Sequence, residues 1–413
     1  MRGLRDTLGQ PALRALLGAG LVSLTGDWVV RVGLAYAVFA LTGSTVSSAL
    51  LLLASFVPQI LLGSLAGVLV DRWDPRRTMI AADLLLAAGL LPLLAVRDPG
   101  DVWLVYAVVA FEGAVQQFFA PAEQAALPLL AGDARLVTAN ALAGQSRDAA
   151  RLLGSALGGV LVAAGGIAPL ALCDAASFLV SAALIARLPR LGAPSRETSD
   201  GGGFAGEWRA GLTLAVQHPV LRALLVFLAV TCVGEGIFGT LFAPFVRAVL
   251  HGDGGAYGLV TSAQAVGGIA GGLLVAARGD RLNPATALGV GALAFGTLDL
   301  ALVLYPLAFP AVWPAAVLIA LAGLPGALLL AGAMTLLQRN TGDGLRGRVF
   351  GALGVVEGIA VVAGTLTAGL LAQTLGIVEV LAAQGAGYVL AGIAMLVLLP
   401  TPRAGPAGAA AAA

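Results

Sequence analysis

Asp71-Arg72-Trp73-Asp74-Pro75 returns 209 positions later as Asp280-Arg281-Leu282-Asn283-Pro284, and that return decides the architecture. At the same offset Gly63 meets Gly272, Leu41 meets Leu250 and Gly43 meets Gly252. Asp27 falls 208 positions before Glu235, and at an offset of 210 Gly154, Gly159, Gly166 and Ile167 match Gly364, Gly369, Gly376 and Ile377. Single glycine matches mean little in a chain with 57 glycines. An offset shared by a polar motif and several flanking apolar runs marks a tandem duplication.

The runs around the two motif copies set the solvent. Of 413 residues, 59% are hydrophobic and only 11% charged, against roughly 25% charged in soluble globular domains. So few charges cannot cover a water-soluble body of this size. Apolar windows between polar breaks predict spans at 17–40, 45–70, 78–96, 102–126, 138–164, 167–187, 220–249, 255–277, 285–306, 311–337, 346–373 and 376–399. The runs are too long and too evenly apolar for barrel strands, so the expected class is an all-α membrane protein of twelve transmembrane helices. It is built as two pseudo-symmetric six-helix bundles, residues 1–189 and 220–400. Between them 190–219, with Pro194, Ser195, Glu197, Asp200 and Gly201-Gly202-Gly203, reads as a polar linker, and 401–413 as a disordered tail.

Arginine placement gives the expected orientation. With both termini cytoplasmic, 17 arginines fall on inner segments and only Arg97 and Arg247 on outer loops. The start, Met1-Arg2-Gly3-Leu4-Arg5, is basic like a signal peptide's, but Asp27 and Arg31 in the following apolar run and the lack of a cleavage site predict a retained helix.

Composition also excludes. The net charge of +1 offers no field for nucleic acid, and all 23 basic residues are Arg. Without Lys there is no P-loop, Schiff-base lysine or kinase lysine. His218 and His251 are predicted on opposite sides of the bilayer, and Cys173 and Cys232 in apolar helices read as small buried hydrophobes. No catalytic residue, metal site or cofactor is expected.

Ionisable groups inside a bilayer are costly and face a cavity or a partner. The candidates for a substrate and proton-coupling site are Asp27, Arg31, Glu112 and Glu235. Asp27 and Arg31 stand four apart on one helical face, where an ion pair is expected. Glu235, between Gly234 and Gly236, has no basic neighbour on its helix, and Glu112 is an alternative partner for Arg31. Arg147, Asp148 and Arg151 read as gate or structure, and Asp83 and Asp174, nearer helix ends, are left outside the site. Trp28, Gln116, Gln117, Phe118, Phe238 and Gln264 are weaker cavity candidates.

The stretch Gly67-Val68-Leu69-Val70-Asp71-Arg72-Trp73-Asp74-Pro75-Arg76-Arg77 resembles the loop signature of the major facilitator superfamily, with Asp74 and Pro75 replacing the usual glycine and basic residue. Thr25-Gly26-Asp27-Trp28, Leu41-Thr42-Gly43-Ser44, Pro121-Ala122, Ala139-Asn140-Ala141-Leu142 and Gly347-Arg348-Val349-Phe350 are similar to the branch of macrolide-efflux proteins and the enterobactin exporter. The resemblance implies that Asp71, Arg72, Arg76, Asp280 and Arg281 act in gating, with Asp71 docking near the start of the eleventh helix. It also makes Gly154-Ser155-Ala156-Leu157-Gly158-Gly159 similar to the helix-packing element of antiporters, with Ser155 in place of proline.

The implied protein is a monomeric, multi-pass secondary transporter of a bacterial cytoplasmic membrane. It exports a small amphipathic or cationic solute (drug-, macrolide- or siderophore-like) in exchange for protons, by alternating access. Its partners are the solute, protons and the lipid bilayer. Import or facilitated diffusion by the same fold is the competing reading. An intramembrane enzyme is the distant one.

Overall fold

Several helices start or stop where the sequence supplies a signal. In the computed structural model the described residues are 9–70, 73–132, 136–191, 212–213, 216–278, 283–341 and 346–399. The helices are α1 Pro11–Thr42, α2 Thr45–Val70, α3 Pro75–Gly89, α4 Val102–Ala131, α5 Leu136–Gly165, α6 Ile167–Ile185, α7 Pro219–Pro244, α8 Gly254–Arg278, α9 Pro284–Leu304, α10 Val312–Arg339, α11 Arg346–Leu371 and α12 Ile377–Leu398. Proline opens α1, α3, α7 and α9, where its missing N–H goes unneeded. The α3 end tightens into a 3-10 turn at Leu91–Ala95, and α7 passes into a π-helical turn at Phe245–Val249. Gly43 closes α1 in the left-handed region (φ 62), its N–H donating to Phe39 O at 2.8 Å.

The duplicated motif is a duplicated helix start. The Asp74 carboxylate accepts from the Arg76 and Arg77 N–H groups (2.9 and 3.4 Å), capping α3. Asn283 accepts from the Ala285 N–H (2.9 Å) and caps α9 in the same way.

Twelve segments are long and apolar enough to cross a membrane, and among the described residues no strand occurs: this is a multi-pass membrane protein. The packing repeats with a shift of six helices. In the first half α1 lies against α5 and α6, α4 against α2 and α3, and α3 against α6. In the second, α7 lies against α11 and α12, α10 against α8 and α9, and α9 against α12. The halves meet through α5 on α8 and α2 on α11, which the same shift exchanges. Two similar six-helix bundles related by a pseudo-twofold axis give this pattern.

That symmetry holds at single residues. A Cβ on Gly159 would stand 2.6 Å from the Gly254 carbonyl and the Gly258 Cα; on Gly369 it would stand 2.6 Å from the Ala49 Cβ. Thr45 and Ala49 precede Gly254 and Gly258 by 209 positions. Thr45 Oγ1 also donates to Gly369 O (3.0 Å). All these contacts lie at the end of the bundle away from the start of α1, called here the distal end. Tyr36 joins them there: its hydroxyl donates to Gly252 O (3.3 Å) and accepts from Arg247 Nη1 (3.1 Å).

At the opposite, proximal end, the first half of α5 leaves Asn140, Gln145, Arg147 and Asp148 exposed. The expected latch residues Asp71, Arg72, Asp280 and Arg281, most of the 190–219 linker and the 401–413 tail lie outside the described residues.

Candidate functional site

Between the halves, at mid-depth, lies a cavity of about 400 Å³. Asp27 and Arg31 reach it from α1, Glu112 and Gln116 from α4, Arg151 from α5, Glu235 and Phe238 from α7, and Tyr257 and Gln264 from α8. The four ionisable residues singled out from sequence therefore share one chamber. The size suits a drug-sized ligand.

Local packing sets each side chain. Gly154 and Gly158 on α5 bring that helix onto α1, since a Cβ there would stand 2.5 Å from Thr25 O and 2.6 Å from Val29 O. Ser155 between them is fully buried. Gly159, on another face, meets α8 as described. The motif thus ties α5 to both halves at once.

The expected Asp27–Arg31 ion pair is not formed as a direct contact, although Arg31 still acts on Asp27 through space. Asp27 Oδ2 accepts from Gln116 Nε2 (3.5 Å), and Oδ1 has no hydrogen-bond partner. The Arg31 guanidinium instead lies over the Trp28 ring, 5.2 Å from its centroid. Arg151 lies against the same ring at 5.4 Å, so two cations flank one indole. The ring face attracts a guanidinium that has no carboxylate in direct contact.

Arg151 also donates from Nη2 to Gln264 Oε1 (2.6 Å), across the two halves. The expectation that it serves an end of the fifth span is corrected: it stands half-way along α5 and lines the cavity. Trp28, Gln116, Phe238 and Gln264 also line the chamber. Gln117 bonds Gly113 O within α4, and Phe118 stacks on Trp73 away from it (6.1 Å).

Asp174 is the larger correction. On α6, fully buried, it brings a carboxylate oxygen within 4.8 Å of oxygens of both Asp27 and Glu112. Its distance from the helix end suggested otherwise, but Gly26 lets α6 approach α1 so closely that any side chain there would overlap the Asp174 carboxylate and Ser177. The repeat carried a signal: at an offset of 210 Asp174 pairs with Gln384.

Arg76 donates to Ala186 O (2.6 Å) and Ile185 O (3.4 Å), meeting the negative end of α6 within its own half.

A family model described as "Transmembrane secretion effector" matches residues 6–408. The chain is 28% identical to the multidrug efflux pump Tap of Mycobacterium bovis, over 88% of this chain and 87% of Tap. It is 27% identical to macrolide efflux protein A of Streptococcus pyogenes, where it spans about half of each protein (50% of this chain, 51% of the relative). Among solved structures, a bacterial homologue of the iron transporter ferroportin in its inward-facing state superposes with a TM-score of 0.76, at 17% identity, over 94% of this chain and 98% of that one. Fold, repeat and family model agree: the chain belongs to the major facilitator superfamily of transporters, in its transmembrane secretion effector family.

Proposed function

We propose that the chain is a proton-coupled exporter of small amphipathic or cationic compounds across a bacterial cytoplasmic membrane. The observation that carries this reading is the convergence of Asp27, Glu112 and Glu235 with aromatic walls in one mid-depth cavity between the halves. Acids held there exchange protons with whichever side the cavity faces, and their charge decides whether a cationic solute is held. Trp28, Phe238 and Tyr257 supply the apolar surface that an amphipathic solute needs.

Export is favoured over import by the relatives named as efflux proteins, Tap over most of its length. The arginine bias favours cytoplasmic termini, and in that orientation the tied distal end is external and the proximal end the side of solute entry. The motif copies at 71–77 and 280–284 act as the proximal latch.

Everted vesicles test the reading. Wild-type vesicles energised by a pH gradient are expected to accumulate ethidium or a labelled macrolide, while Asp27→Asn and Glu235→Gln lose at least ten-fold in initial rate. Full gradient-driven uptake by Asp27→Asn, Glu112→Gln and Glu235→Gln alike would remove these acids from coupling. Uptake in the reverse sense would replace export by import.

A further inference from the structure

We propose that Asp174, on α6, is a second proton seat behind the cavity acids, sharing protons with Asp27 and Glu112 in one three-carboxylate cluster. The proposal deepens the coupling reading above and rests on it. The three carboxylates come from α1, α4 and α6, and one oxygen of each lies within 4.8 Å of the others. Asp27 and Glu112 line the cavity, whereas Asp174 is 0% exposed. Asp174 Oδ1 accepts from the Ser177 hydroxyl (2.9 Å), while its Oδ2 has no hydrogen-bond partner, and neither does Asp27 Oδ1. A buried, unpartnered carboxylate oxygen is costly while it is charged. Carboxylates this close in a low-dielectric interior retain protons instead of ionising together.

The surroundings do not neutralise the cluster. Arg31 on α1 acts on Asp27 and Glu112. Asp83 on α3 and Glu123 on α4 add negative charge to it. On α5, Arg147 faces Glu123, and Arg151 is bonded to Gln264. One guanidinium set against three carboxylates leaves two charges for protons to cancel.

The repeat separates packing from chemistry. Gly26 and Gly234 correspond at an offset of 208, as Asp174 and Gln384 do at 210. A Cβ on Gly26 would collide with the Asp174 carboxylate; on Gly234 it would stand 3.1 Å from the Gln384 Cγ. Both halves therefore use this position to seat the last helix on the first. Glutamine suffices for that seat in the second half, and at this position only the first half carries a group that can bind a proton. A proton entering from the cavity bonds Asp27 or Glu112. Transfer then breaks that O–H bond and forms one at Asp174, leaving the cavity acid ionised and free to take another.

Infrared titration of the protonated-carboxyl band in the purified full-length chain tests this without any solute. Asp174→Asn is expected to delete one titrating carboxyl and to move the remaining midpoint to lower pH by about one unit or more, because a neighbouring acid is gone. Ser177→Ala removes a donor to the charged form of Asp174 and is expected to move a midpoint the opposite way, to higher pH. General loosening would not give opposite signs. If Asp174→Asn fails to fold, Ser177→Ala decides alone. Wild-type titration in both variants would overturn the proposal. So would Mn²⁺ binding that displaces the protonated band, which would make the cluster a metal site. Loss of driven transport in Asp27→Asn, together with unshifted titrations, would sink only this inference. Intact driven transport in Asp27→Asn, Glu112→Gln and Glu235→Gln alike would sink the coupling reading itself.

Discussion

Trp28, with the Arg31 and Arg151 guanidinium groups both against its ring, shows what a single residue contributes here. Each guanidinium gains about 0.5–2 kcal/mol from the ring, depending on how dry the site is. Arg151 adds a hydrogen bond to Gln264 in the opposite half. Trp28→Ala is expected to weaken ethidium binding at least ten-fold while Trp28→Phe keeps most of it, as fluorescence titration of the purified protein can measure. Asp27, Arg31, Glu112 and Glu235 were legible in the sequence because a charge within an apolar run is rare and expensive. Asp174 and Arg151 were not. Which way they face depends on how closely α6 and α5 approach α1, and that is fixed by Gly26, Gly154 and Gly158 on partner surfaces.

Among the elements, the number and order of the spans were readable and survive unchanged. The precise ends were less so: α1 begins at Pro11 and α4 runs to Ala131, since a helix continues past the apolar window until a cap or glycine stops it. Asp74→Ala should remove the α3 cap and cost about 1 kcal/mol, seen as a lower melting temperature, with Asp74→Asn retaining most of it. Gly158→Leu should be far worse, since Val29 O occupies the space a Cβ would take. Overpacking of this kind costs about 1–3 kcal/mol or more, and size-exclusion chromatography should show loss of monodisperse protein. Gly268→Leu, at a glycine where an added Cβ would meet nothing within 4 Å, serves as the tolerated control.

For the whole molecule, the six-helix shift exchanges α5·α8 with α2·α11, and a rocking of one half against the other is expected to open or close both seams together. The duplication was visible as an offset of about 209, but the conformation was not: a repeat is compatible with a chamber open to either end. A latch at 71–77 predicts that Asp71→Asn favours the conformation seen here, with more rapid labelling of a cysteine at Gln145; unchanged labelling would discard it. The central claim is that one mid-depth chamber faces one end at a time under the control of its protons. Pulsed electron paramagnetic resonance would measure it with one spin-label pair at each end, Gln145 with Gly272 and Ser44 with Asp253. Changing the pH across the titration of the acids should shift the two distances in opposite directions, and Asp27→Asn should abolish the response. Distances that stay fixed, or that lengthen and shorten together, would contradict the account.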